Sequence, residues 1–102
     1  IRRSILAGLT KDVIKNEYVV TTDARAKEVR KFVDKMITYG KDGSLVSRRK
    51  ALAFLQNDTV AVNKVFNELA KRYETRNAGY TRLVKLNERK GDDAMQIRIE
   101  LV

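Results

Sequence analysis

Met95-Gln96-Ile97-Arg98-Ile99-Glu100-Leu101 decides the fold of this chain. Apolar and polar residues alternate along it without a fault, and a period of two is that of a strand with one face buried and the other in water. Such a strand needs partners. Upstream, Tyr80 to Leu86 reads as a second strand. The turn signal Gly91-Asp92-Asp93 lies between them, so the two should close as an antiparallel hairpin with a longish loop. Tyr18-Val19-Val20-Thr21 is short, β-branched and aromatic, which suits a third strand that joins or flanks the hairpin. Three strands with one solvated face need helices over the other. The expectation is a two-layer α+β domain.

The helices come from the rest of the chain. Ile5, Leu9 and Val13 fall four apart, with Leu6 and Ile14 widening the stripe, which predicts a helix from about Ser4 to Lys15. Thr22 or Asp23 can cap a second, whose apolar face is Ala26, Val29, Phe32, Val33, Met36 and Ile37, and which Gly40 should end. Ser44 is placed to cap a third, from about Leu45 to Leu55. A fourth follows Asn57-Asp58 and runs to about Arg72, with Val62, Val65, Phe66, Leu69 and Tyr73 on one side. Arg76-Asn77-Ala78-Gly79 then breaks the pattern. The predicted order is α-β-α-α-α-β-β, with a small sheet whose C-terminal antiparallel hairpin packs against the helices. The 102 residues should form a single domain.

Charge is the unusual feature. Twenty-two Lys and Arg face thirteen Asp and Glu, a net +9. An excess of this size favours a polyanionic partner, nucleic acid or an anionic membrane surface, over a basic protein that is merely soluble. No apolar run approaches the roughly 20 residues of a membrane span. The chain has no Cys and no His. That removes disulfides, zinc sites of the usual kind and the commonest catalytic bases and nucleophiles. Asp92-Asp93 suits a hairpin turn better than a cation site, and Gly40, Gly43, Gly79 and Gly91 are too scattered for a phosphate loop. We expect no enzyme, no metal, no cofactor, no small-molecule substrate and no homo-oligomer.

Three basic surfaces stand out. Arg48-Arg49-Lys50 opens the third helix and repels itself unless an anion relieves it. The second helix carries Arg25, Lys27, Arg30, Lys31 and Lys35 on its polar side, Lys27, Lys31 and Lys35 forming a stripe that many surface helices share. Foremost is the stretch from Lys71 to Lys90, which holds Lys71, Arg72, Arg76, Arg82, Lys85, Arg89 and Lys90 with Tyr73 and Tyr80 interleaved. Cations for phosphates, tyrosines for bases and a glycine for close approach together suit RNA. Tyr73 continues an apolar stripe and is assigned to the core. For Tyr80, core packing and base stacking are equally open. Strand alternation sends Arg82 to one face and Thr81 and Lys85 to the other.

Phe66-Asn67-Glu68-Leu69-Ala70-Lys71-Arg72-Tyr73 followed by Arg76-Asn77-Ala78-Gly79-Tyr80-Thr81-Arg82 resembles the bacterial-type large-subunit ribosomal protein seventeen family. Thr21-Thr22, the run Ala24 to Arg30, Met36-Ile37-Thr38, Arg48-Arg49, Gly91-Asp92 and Ile99-Glu100-Leu101-Val102 match in order, so the resemblance spans essentially the whole chain. It implies the helix and strand order already read. It also implies a place on large-subunit ribosomal RNA near the nascent-chain tunnel exit, with other ribosomal proteins as neighbours and no catalytic residue. Two departures touch local geometry: Ala78 stands where the family usually has a first Gly, and Asp93-Ala94-Met95-Gln96 replaces a segment in which many members carry a Pro. The family's basic N-terminal arm is represented only by Arg2 and Arg3, and the chain opens on Ile1 with a helical pattern under way by Ile5, so residues ahead of it are expected. Lys41-Asp42-Gly43-Ser44-Leu45 looks like cyanobacterial and plastid members, which tilts the expected compartment toward an organelle.

Clusters and motif together give the candidate RNA contacts: Arg2, Arg3, Arg25, Lys27, Arg30, Lys31, Arg48, Arg49, Lys50, Lys71, Arg72, Arg76, Asn77, Gly79, Tyr80, Thr81, Arg82, Lys85, Arg89 and Lys90. Two rivals use the same residues. A small basic ribonuclease of the toxin kind would gather Tyr80, Arg76 and Arg82 in one cleft. A DNA-binding architectural module would bind duplex DNA as well as structured RNA.

Overall fold

The computed structural model describes residues 2–86 and 96–102, with side chains from Ser4 onward. The turn expected at Gly91-Asp92-Asp93 lies outside the described residues. The sheet has three strands, β1 (Tyr18–Thr22), β2 (Thr81–Lys85) and β3 (Gln96–Leu101). They lie in the order β1-β3-β2, both pairings antiparallel. The last strand in sequence is the central one, with Val19 and Leu83 flanking Ile99 on either side. Ile97, Ile99 and Leu101 are buried, while Gln96, Arg98 and Glu100 are only half-buried. Alternation is cleanest on β3 because only the central strand has its whole inner face covered. The edge strands expose Tyr18, Val20, Arg82 and Val84.

Helices cover the inner face. In α1 (Arg2–Asn16), the buried side is Leu6, Ala7, Thr10, Val13 and Ile14. Ile5, expected in the stripe, is 40% exposed. The helix is rotated from the expected face because Thr10 belongs to the core. Its hydroxyl donates to the Leu6 carbonyl at 2.7 Å, so burial leaves no unmet polar atom.

α2 (Asp23–Asp42) buries Ala26, Val29, Val33, Met36, Ile37 and Gly40. Gly40 does not end it. The terminator is Gly43, whose φ of 69° is the left-handed cap and whose N–H donates to the Tyr39 carbonyl at 3.0 Å. Gly40 serves packing instead: a Cβ there would stand 2.9 Å from Val65 Cγ1 and 3.0 Å from the Val65 carbonyl oxygen. Thr22 occupies the N-cap, but its side chain makes no capping bond.

α3 (Leu45–Phe54) starts as expected, with Ser44 Oγ accepting from the Ser47 N–H. Both the Ser44 and Ser47 hydroxyls donate to Asp42 at 2.6 Å, bracing the corner between α2 and α3. These hydroxyls hold the Asp42 carboxyl below its usual range. The fourth helix opens at Asp58, which accepts from the Ala61 N–H. It runs through α4 (Thr59–Lys64), a π-helical turn at Val65–Leu69 and α5 (Ala70–Arg72). The wide turn is closed by the Ala70 N–H reaching back to the Val65 carbonyl, the group that Gly40 admits. Val62, Val65, Leu69 and Tyr73 are buried as the stripe predicts, while Phe66 is half-buried beneath the Arg48 guanidinium, 5.1 Å from its ring.

Candidate nucleic-acid interface

The cations divide into those the protein has already partnered and those it has not. Arg72 is the firmest of the first group. Its two Nη atoms each donate to Glu17 at 2.8 Å, and Nη2 also reaches Glu68 at 3.0 Å. Lys64 adds a third donor to Glu17 at 3.2 Å. The Arg72 bonds, with Lys64 behind them and burial opposing, bring the Glu17 carboxyl from 4.5 to about 2. Glu17 has a positive φ of 71°, and its carbonyl accepts the Leu101 N–H, so Arg72 fastens the α1–β1 junction to the fourth helix.

Arg82 is the second partnered residue. It sits opposite Glu100 in the β2–β3 register and donates to it through Nε at 2.7 Å and Nη2 at 2.6 Å. Arg98 donates to the other Glu100 oxygen and lays its guanidinium 4.1 Å from the Tyr18 ring. Arg82 first, and Arg98 behind it, hold the Glu100 carboxyl below its usual range. Lys27 pairs loosely with Asp23 at 3.5 Å. Arg48, besides covering Phe66, donates to Asn63.

Tyr80 is 2% exposed and Thr81 3%. The Tyr80 ring lies 5.2 Å from the Tyr73 ring. Its hydroxyl is within reach of the Arg76 and Asn77 carbonyls and accepts from Lys41 Nζ at 3.0 Å. Lys41 also donates to the Arg76 carbonyl. Core packing therefore decides Tyr80, and neither Tyr80 nor Thr81 offers its side chain to a base or phosphate. What Tyr80 and Lys41 do is pin the 76–79 turn, which leaves the Arg76 and Asn77 side chains exposed. Gly79 supplies the turn's positive φ of 69°. The cleft that a ribonuclease would build from Tyr80, Arg76 and Arg82 is not formed, because Tyr80 faces inward and Arg82 is held by Glu100.

Lys31, Lys35, Arg49, Lys50, Lys71, Arg76 and Lys85 are exposed, and none takes part in an ion pair among the described residues. Arg25 is exposed as well, and Arg30 faces Asp34. α2 and α3 thus carry a face of free cations from Lys31 and Lys35 across to Arg49 and Lys50. Arg2 and Arg3 open α1, their side chains undescribed, and Arg89 and Lys90 lie outside the described residues.

Two residues had no warning in the sequence. Lys41 looks like any lysine near a helix end, yet it organises a turn 35 residues away. Asp34 reads as a polar-face residue, yet it accepts from the Tyr80 backbone N–H, and its Oδ1, like Thr81 Oγ1, is buried without a hydrogen-bond partner among the described residues. Burial raises the Asp34 carboxyl above its usual range, against that bond and Arg30.

With this geometry in view, residues 5–102 match the family model described as ribosomal protein L17. The chain belongs to that family. It is 51% identical over 114 residues to the large ribosomal subunit protein bL17 of Ligilactobacillus salivarius, covering 99% of this chain and 90% of the relative. The bL17 proteins of Lactococcus lactis subsp. cremoris and Streptococcus gordonii are 50% and 49% identical, covering 99% of this chain and 90% and 91% of their own lengths. The resemblance read from the 66–82 stretch is confirmed as family membership. L17 relatives are structural ribosomal proteins rather than enzymes, which agrees with the expected absence of catalysis. These relatives are bacterial, so the tilt toward an organelle taken from Lys41 to Leu45 finds no support in them.

Proposed function

We propose that this L17 protein is a structural constituent of the large ribosomal subunit that braces folded ribosomal RNA, with the free cations of α2, α3 and the 71–85 segment as its phosphate contacts. The observation that carries the reading is the set of exposed Lys and Arg that make no ion pair among the described residues, in a family of ribosomal proteins. A partner's phosphates supply what no carboxylate among the described residues supplies, and release of their counterions drives binding. Recognition is of RNA shape, since no described element has a base-reading groove helix exposed in a helix-turn-helix frame. Arg25, Lys27, Arg30, Lys31, Arg48, Arg49, Lys50, Lys71, Arg76, Asn77, Gly79 and Lys85 remain contacts under this reading, together with Arg2, Arg3, Arg89 and Lys90. Arg72 and Arg82 act chiefly within the protein. One contiguous core drawing on the helices and the central strand supports treating residues 1–102 as a single domain. The family resemblance supports a site near the tunnel exit with ribosomal proteins as neighbours.

The test is co-sedimentation with large subunits across a salt series, beside binding to isolated large-subunit RNA and to duplex DNA. Affinity for the RNA should fall linearly in log–log terms with salt and exceed that for DNA. Equal affinity for the two would point to the architectural module instead. Placement at the exit is checked by cross-linking from Arg76 to emerging nascent chains.

A further inference from the structure

Between α2 and α3, floored by α1, lies a hollow of about 610 Å³. Leu6, Met36, Phe32 and Phe54 make its apolar wall, Tyr39 closes one side, and Lys35 and Lys50 come in from the two helices. Phe32 and Phe54 are stacked, 4.6 Å between centroids at 23°, with Phe54 buried, so the half-buried Phe32 is the ring that the wall presents, held in place by Phe54. Every ionisable acid–base group on the lining other than the Tyr39 phenol is a cation; no carboxylate among the described residues lines it. Two more exposed cations neighbour the lining lysines along the chain: Lys31 is one turn before Lys35 on α2, and Arg49 adjoins Lys50 in the middle of α3.

We propose that this hollow receives one unstacked base of a single-stranded RNA segment, with the flanking phosphates held by Lys35 and Lys50. The inference rests on the RNA reading above and sharpens it to a place. An aromatic wall takes the flat face of any base, and exposed cations take its phosphates. A nucleotide brings both chemistries in one rigid unit, and the volume falls within the range of small-ligand pockets, roughly 300–1,000 Å³. An apolar side chain from a protein neighbour would fill the wall but leave both ammonium groups facing it without an anion. Lys31 and Arg49, exposed and without an ion pair among the described residues, then continue the backbone path on either side of the inserted base.

Met36 on the wall is a built-in reporter, and Met95→Leu leaves it as the sole methionine. The experiment follows the Met36 methyl resonance of the full chain during titration with an adenine trinucleotide, with the same trinucleotide made abasic at its centre, and with an Asp-Phe-Asp peptide. The expected result is a saturable Met36 shift with the first ligand only. Lys35→Ala with Lys50→Ala should weaken it about tenfold, the cost of losing phosphate contacts. Phe32→Leu, which keeps the wall apolar, should weaken it about fivefold or more through lost stacking. An equal shift from the abasic ligand, or a shift from the peptide alone, overturns the proposal. Salt-dependent binding of the same sample to large-subunit RNA separates the two levels. RNA bound with Met36 unmoved by the trinucleotide removes the base pocket alone, while no RNA binding at all removes the broader reading with it.

Discussion

The α2–α3 face and the 71–82 segment carry the same residue types and play different parts. On the α2–α3 face, Lys31, Lys35, Arg49 and Lys50 are exposed, with no ion-pair partner among the described residues. In the 71–82 segment, Arg72 is locked to Glu17 and Glu68, Arg82 to Glu100, and Tyr80 is packed beneath Lys41. A basic run is thus not yet a basic surface. Whether it becomes one depends on acids brought in from elsewhere, and Glu17 lies 55 residues from Arg72. The segment richest in motif residues is mostly occupied with holding itself in place. The plainer α2 stripe leaves Lys31 and Lys35 exposed, while the 71–82 segment leaves Lys71 and Arg76 so and commits Arg72 and Arg82 to acids.

That contrast can be broken most forcefully at Tyr80. Tyr80→Ala should cost about 3–5 kcal/mol in urea unfolding, as for other large core aromatics. Tyr80→Phe should cost about 1 kcal/mol by removing the hydroxyl from its bonds, and should leave RNA affinity unchanged. A stable Tyr80→Ala protein with badly weakened RNA binding would return this residue to the contact surface.

Arg72→Ala comes next. Its ion pair is bidentate but partly in water, the Glu17 side chain being 41% exposed, so screening trims the loss to about 1–2 kcal/mol. The same pair sets a pH signature. Glu17 falls from 4.5 in the unfolded chain to about 2 in the fold, so its stabilisation is complete above the first value and is lost as pH drops toward the second. Asp58, lowered first by its bond from Lys15, adds in the same direction. Asp34, raised by burial, works the other way, its charged form weakening the fold at neutral pH. Thermal melts between pH 5 and 2 should therefore fall more steeply for the unaltered protein than for Arg72→Ala. Parallel slopes would show that the clamp contributes nothing.

The smallest effects on stability separate the two regions best. Arg49→Ala and Arg76→Ala should each leave stability within about 0.5 kcal/mol. Each should lower the salt slope of RNA binding by about one. Arg82→Ala should change that slope less, because Glu100 already satisfies the guanidinium. Equal slope changes at Arg82 and Arg49 would mean that Glu100 gives way readily and the two regions are one surface.

Much of this was legible in the residues. The alternation of β3, the stripe of the fourth helix, its start after Asn57-Asp58 and the cap at Ser44 are local features, and local chemistry decides them. The order of strands was only partly legible: β1 was expected beside the hairpin, and pairing with β3 is what the register shows. The packing role of Gly40, expected to end its helix, and the burial of Thr10, on which the pattern is silent, escape the sequence for a common reason. Each owes its role to an atom that periodicity does not see, the Val65 carbonyl for one and the Leu6 carbonyl for the other. At the interface, the sequence located the basic residues but not their partners, since Glu17, Glu100 and Lys41 act across the fold.

The π-helical turn at Val65–Leu69 also bears on how the family can vary in length. A π turn spends one residue more than an α turn over the same rise, so it is the form an inserted residue takes when both flanks must stay in phase. Removing a single residue there would let the turn revert to α while Val62 and Tyr73 kept facing the core. Should the Val65 carbonyl and Cγ1 then draw back from α2, the requirement for glycine at position 40 relaxes with them. Chain length in the fourth helix and residue size at position 40 should therefore change together.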